Sequence, residues 1–303
     1  MGNPYPFDIT LTNQYYSDCS NIINYYHLPV QNVQYTSGFI NISNDKIWLQ
    51  YFRPSNPIGT IILLHGYLDH SANCGHIIKY LLSLNFQVYA YDLRGHGMSG
   101  GTRGAIHDFN EYSDDLDKIV QIVSNQGQLP LVFIGHSTGC AVLIEYLTHY
   151  HNPFMKILFL SPLVRIEMWA QAQIAYFFIS SFIQEVPRLF SESSSDRDYL
   201  YFTQYLDPLQ DKTAAVEWVT ALIKWDKKID WYTNFNTGLT IIQGTEDKVV
   251  DWKYNLPYLS NRFEKVDIKM ITNARHHLYN EAGPIRAKVF IEISNFLVNL
   301  CRY

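Results

Sequence analysis

Seven short apolar runs, separated by longer stretches of helical periodicity, constrain this chain more than any other feature. They are IWLQYF (47–52), TIILL (60–64), FQVYAY (86–91), LVFI (131–134), ILFL (157–160), LTIIQ (239–243) and VDIKMI (266–271). Continuous runs of β-branched and aromatic residues suit strands buried on both faces. Parallel neighbours need long crossovers, and GHIIKYLLSL (75–84), Phe109 to about Gln126 and the segment after Ser137 are each long enough to be covering helices. Val289, Ile293, Phe296, Leu297 and Leu300 fall on one helical face, so a last helix is expected to dock on the sheet. The expected fold class is α/β, with a mostly parallel central sheet flanked by helices.

After ILFLSP the alternation stops for about 75 residues, too many for a structureless loop. Residues 163–236, rich in Trp, Tyr, Phe and Ile, are expected to form a helical cap inserted over the carboxyl ends of the strands, where ligands bind in open α/β sheets. The core is then 1–162 and 237–303. Most cap aromatics are expected to pack the cap's own interior. Met168 to Gln184 carries no ionisable side chain but three glutamines, and falls short of the roughly 18 apolar residues of a membrane span. Peripheral contact with a membrane through the cap, without crossing, is the expectation.

With 303 residues, 47% hydrophobic, the chain can bury one large core, and a net charge of −5 without a basic block argues against nucleic acid as partner. Cys19, Cys74, Cys140 and Cys301 lie far apart with no CxxC spacing, which suggests neither a disulfide framework nor a zinc site. No HExxH is present, so neither metal nor cofactor is expected. The start, MGNPYPFDITLTNQ, lacks a basic stretch and apolar core, and Pro6 stands where a myristoylation motif wants Ser or Thr. A cytoplasmic location follows as the expectation.

GHSTG (135–139) lies between a strand-like and a helix-like run, the context of a nucleophile elbow. A serine nucleophile needs a histidine oriented by a carboxylate, in the chain order Ser, acid, His. Asp247, directly after LTIIQ, is the chosen acid, with Glu246 and Asp251 as stand-ins; an aspartate there could equally cap a turn or the next helix. The loop after VDIKMI supplies the base, and spacing alone leaves His276 and His277 open. Oxyanion donors are expected from the backbone N–H of Thr138 and, on the loop after TIILL, of Tyr67.

HGYLDHS (65–71), YDLRGHGMSGGTRG (91–104), GHSTG, GTEDKVVD (244–251) and ARHHLYNE (274–281) together resemble the monoacylglycerol lipase and bacterial lysophospholipase family of α/β-hydrolases, from about residue 35 to the C-terminus. The resemblance implies His276 as base, with His277 where an acidic residue is common, and Cys140 replaces a frequent third glycine. It implies a cofactor-free serine hydrolase of lipid monoacyl esters, acting through Ser137, Asp247 and His276 and an acyl-enzyme. Phe177 and Phe178, in the greasy cap, are expected to line the acyl pocket. The alternatives are a shorter ester, a thioester, or a proline peptide bond, the last requiring cap carboxylates such as Glu167, Glu185 or Glu192. A non-catalytic scaffold would have a degraded catalytic position, and none is degraded.

Overall fold

In the strand TIILL and in the neighbouring FQVYAY every residue is buried, and the two faces feed two separate apolar clusters. The computed structural model describes residues 21–42, 45–127, 129–179, 182–188, 190–229 and 234–298. Its main sheet has eight strands in the order β1-β2-β4-β3-β5-β6-β9-β10. These are β1 (Gln34–Ile42), β2 (Asp45–Arg53), β3 (Gly59–Leu64), β4 (Phe86–Tyr91), β5 (Leu131–His136), β6 (Lys156–Leu160), β9 (Phe235–Gly244) and β10 (Phe263–Ile271). β1, β2 and β4 pair antiparallel, and all remaining neighbours are parallel.

Side chains alternate across a strand, so Ile61 and Leu63 face one layer while Ile62 and Leu64 face the other. The first pair joins a cluster containing Ile77, Ile78 and Leu81 of α1 (Gly75–Ser83) and Val289, Ile293 and Leu297 of α8 (Gly283–Leu297). The second pair joins Phe109, Leu116 and Val120 of α2 (Phe109–Ser124) and Val142 and Leu143 of α3 (Thr138–His149). All seven predicted runs are strands. Leu300 of the predicted last helical face lies outside the described residues.

Between β6 and β9 the chain leaves the main sheet. It forms α4 (Trp169–Ile179), a two-stranded antiparallel pair β7 (Glu185–Pro187) and β8 (Thr213–Ala215), α5 (Arg197–Tyr201) and α6 (Val216–Ile229). β9 begins at Phe235, within the stretch read from sequence as insertion. α7 (Trp252–Ser260) then bridges β9 and β10, with Asp251 accepting the Tyr254 N–H at its N-terminus.

α6 is tied to α3 through a buried carboxylate. Glu145 accepts from Trp225 Nε1 at 3.0 Å and Lys228 Nζ at 2.7 Å, with His149 Nε2 at 3.0 Å. Removing Glu145 leaves the Trp225 N–H buried without this acceptor, whereas the exposed His107–Glu217 pair at 3.4 Å is screened by water. Glu145→Ala is therefore expected to cost about 3 kcal/mol and to lower Tm by roughly 5–10 °C in calorimetry. Glu217→Ala in the same assay is expected to leave Tm unmoved.

Candidate active site

Ser137 joins β5 to α3 with φ 51° and ψ −113°, a backbone conformation that costs about 1–3 kcal/mol for a residue bearing a side chain. The surroundings enforce it. The Ser137 N–H donates to the Leu160 carbonyl of β6 at 3.0 Å, and its carbonyl accepts from Cys140 at 3.0 Å and Leu163 at 3.2 Å. On the other side, a Cβ at Gly139 would stand 2.6 Å from the Leu64 carbonyl oxygen, so only glycine lets the first turn of α3 approach β3 this closely. The buried Cys140 thiol donates back to the Gly135 carbonyl at 3.2 Å, filling the place behind the elbow.

The loops after β9 and β10 bring a carboxylate and an imidazole together. Asp247 Oδ2 lies 2.9 Å from His276 Nδ1, both groups being buried. Oδ1 of Asp247 accepts the N–H groups of Val249 (2.9 Å) and Val250 (3.3 Å), and Gln243 Nε2 donates to Oδ2 at 3.0 Å. Burial alone pushes the Asp247 carboxyl up, but the neighbouring His276 and these donors outweigh it and hold it down to about 2. Glu246 is exposed and Asp251 is used as a helix cap, so neither sequence-level stand-in shares this arrangement. Gln243, at the end of β9, was not singled out from sequence. Its only signal there was a polar side chain closing an apolar run.

His277 occupies different surroundings. Its backbone N–H donates to Ser193 at 2.8 Å, and its Nδ1 lies 3.2 Å from the Tyr199 hydroxyl. Burial, reinforced by His276 and Arg188, pushes its protonated form well below the ordinary histidine range.

The loop after β3 orients the Tyr67 N–H through His65. Nε2 of His65 accepts the Leu93 N–H at 2.9 Å, which leaves Nδ1 as the donor to the Gly66 carbonyl at 2.7 Å. In a planar trans peptide the N–H points opposite to the carbonyl, so fixing Gly66 O also fixes the Tyr67 N–H. That N–H faces the elbow, 3.2 Å from Thr138 Oγ1. Thr138 is the first residue of α3, whose N-terminal dipole favours negative charge at the same place.

A cavity of about 430 Å³ joins these parts, lined by Tyr67, Ser137, Thr138 and His276 and roofed by apolar inserted residues such as Val186, Leu200 and Trp218. Phe177 and Phe178 do not line it. They are 77% and 68% exposed on α4, which corrects the expectation that they wall the cavity. α4 is apolar around most of its circumference, so periodicity could not tell which face turns inward. Ile174, Phe182 and Ile183 extend the exposed apolar surface there. Among the described residues no helix is long and apolar enough to cross a membrane.

The fold, with its strained serine, carboxylate–imidazole pair and shared cavity, defines a serine hydrolase of the α/β-hydrolase class. Residues 55–283 match the family described as "Serine aminopeptidase, S33", and the chain belongs to that family. It is 28% identical over 272 residues to a monoglyceride lipase homolog from Monkeypox virus, covering 87% of this chain and 98% of the relative. The Homo sapiens monoglyceride lipase is 24% identical over 281 residues, covering 88% and 90%. The crystal structure of a soluble variant of monoglyceride lipase from Saccharomyces cerevisiae in complex with a substrate analog superposes with a TM-score of 0.77 at 18% identity, covering 91% of this chain and 98% of that one.

The depressed Asp247 carboxyl carries a pH signature. A carboxyl held below its unfolded value stabilises the fold above that value, and the contribution is lost as pH falls through the folded one. The stability advantage of the native chain over Asp247→Asn is expected to shrink as pH falls from about 4 to about 2. Denaturant titrations of both proteins across that range check it.

Proposed function

We propose that the chain hydrolyses lipid monoacyl esters, with Ser137 as nucleophile, His276 as proton carrier and Asp247 as the group that orients the imidazole. The observation supporting this most directly is the 2.9 Å contact between Asp247 Oδ2 and His276 Nδ1 beside a cavity that also reaches the strained Ser137. Asp247 fixes Nδ1 as the protonated nitrogen, which leaves Nε2 to take the proton from Ser137 as its Oγ attacks the ester carbonyl. The developing oxyanion exchanges into the Tyr67 and Thr138 N–H groups, the alcohol leaves with the proton from His276, and water then releases the acid from the acyl-serine. Proton transfer contributes about 10²–10⁴-fold, and each oxyanion donor about 10²–10³-fold.

The lipid assignment draws on the names of the relatives, monoglyceride lipases, and on the apolar roof of the cavity. The exposed face around Ile174, Phe177, Phe178 and Phe182 suits contact with the surface of a lipid aggregate. A peptidase reading would place carboxylates in the cavity to hold a substrate's amino terminus. Neither Glu167 nor Glu185 lines it, and Glu192, which does, is largely exposed and paired with Arg275 at 3.1 Å.

A fluorophosphonate probe is expected to label Ser137 alone, with Ser137→Ala and Asp247→Asn losing about 10⁴-fold or more in kcat; an adduct mapped elsewhere would remove the nucleophile assignment. Each methylene of the acyl chain buried against the roof contributes up to about 0.8 kcal/mol, so kcat/KM is expected to climb severalfold per methylene pair until the cavity is full. Preference for acetate esters in that series would shift the assignment to a short-chain esterase. Replacing Phe177 and Phe178 with serine is expected to leave turnover of a dispersed short ester unchanged while lowering turnover of monoacylglycerol presented in vesicles.

A further inference from the structure

Asp69 and His277 come from two separate loops and His136 from the end of β5, yet one ligand atom from each lies within 4.8 Å of the others, and all three side chains are buried. None has a part in the triad proposed above, although all three line the same cavity. Hydrogen bonding decides what their free atoms are. His136 Nε2 lies 3.0 Å from the His276 carbonyl oxygen, and a carbonyl can only accept, so Nε2 carries the hydrogen. In the neutral ring Nδ1 then presents a bare lone pair. That atom is buried without a hydrogen-bond partner, and so is Asp69 Oδ2, whose companion Oδ1 accepts from Asn73 Nδ2 at 2.9 Å. A buried acceptor left unpaired costs about 1–3 kcal/mol, and two of them stand in this one cluster, where a ligand that accepts lone pairs would relieve both. Asp69 Oδ2 lies 3.9 Å from His277 Nδ1. A Cβ at residue 66 would stand 3.1 Å from His136 Nδ1, so the glycine there keeps the approach to that lone pair open.

The geometry points to a binding site for a divalent zinc-like cation, made by Asp69, His136 and His277, whose occupation inhibits the hydrolase. Two neutral imidazoles and a carboxylate are a borderline-soft donor set that suits Zn²⁺ and leaves one tetrahedral position for water or substrate oxygen. Donor atoms around tetrahedral zinc sit about 2.0–2.1 Å from the metal, so the two loops must draw in slightly toward the end of β5 on binding. His136 adjoins Ser137 in sequence, and its ring lies 4.8 Å from that of His276. A dication held there fills cavity volume, beside Ser137 and His276, that the substrate needs. Inhibition rests on the Ser137–His276 reading above. Binding does not.

Calorimetric titration of the full chain with Zn²⁺ alone tests binding, and ester turnover with and without a chelator tests the consequence. One ion per chain is expected, with affinity falling at least about tenfold in Asp69→Asn and in His277→Gln. Chelator-reversible inhibition should weaken by the same factor in each variant. Should a variant melt early, the Co²⁺ form of the native chain decides in its place, through the intense visible bands of a tetrahedral ion as against the weak bands of an octahedral one. Unchanged zinc affinity in both folded variants, no stoichiometric binding, or octahedral Co²⁺ would overturn the site. Tight binding at these residues without loss of turnover would overturn the inhibition while leaving the site. If Ser137→Ala proved fully active, the hydrolase reading would fall, and the calorimetric result would stand on its own.

Discussion

The close approach of α3 to β3 and β6 at Ser137 is the constraint on which the rest of the structure depends. A non-glycine residue at φ 51° keeps that conformation only if neighbours on both sides over-determine it. The bond to Leu160 on β6 and the contact of Gly139 with β3 do so. The direction in which α3 leaves the sheet is thereby set. Glu145, two turns further on, then carries that direction into the inserted segment by gripping Trp225 and Lys228. A local strain of about 1–3 kcal/mol thus fixes a helix whose far side holds the roof of the cavity.

A second group of residues acts by holding loops still. Asp92 accepts the Ser71 N–H at 2.7 Å and the Ser71 hydroxyl, and through its other oxygen the Met98 N–H at 2.7 Å. One buried carboxylate therefore ties the loop after β3 to the loop after β4. Arg94 adds bonds to Asp115 and Asp45, both at 2.7 Å, which join the second loop to α2 and β2. The stretch YDLRGHGMSGGTRG contributes no reacting atom in the proposed mechanism. Its Leu93 N–H and Gly104 carbonyl hold the loop after β3 through His65 and the Tyr67 hydroxyl.

The sequence was readable where one residue type implied one environment. Mostly apolar runs marked β2, β3, β4, β5 and β6, and the polar loops directly after β9 and β10 hold the candidates Asp247 and His276. β1 went unread because QYTSGFINI mixes Thr, Ser, Gly and Asn, turn-forming residues, into a strand whose partner is β2. β7 and β8, three residues each, are too short to show a period. Phe177 and Phe178 were read as cavity wall because a helix that is apolar all round gives no inward direction. The Asp69–His136–His277 cluster was invisible for a different reason: its spacing along the chain follows no motif, and only the sheet brings the two loops to the end of β5.

Tyr67 belongs to two structures at once. Its backbone N–H is aimed at the elbow, while its ring stacks on Trp218 at 3.8 Å and its hydroxyl donates to the Gly104 carbonyl and accepts the Ala215 N–H. The neighbouring Leu68 carbonyl accepts from Arg188 and from Gln210, and His70 pairs with Asp207 at 2.9 Å. Trp218, Ala215, Arg188, Gln210 and Asp207 all lie in the inserted segment. The segment's position and the alignment of this N–H are therefore linked variables in the thermodynamic sense. Whatever favours one arrangement of the roof, an acyl chain beneath it or a lipid surface above it, shifts the donor by the same coupling free energy, and the donor's occupation acts back on the roof.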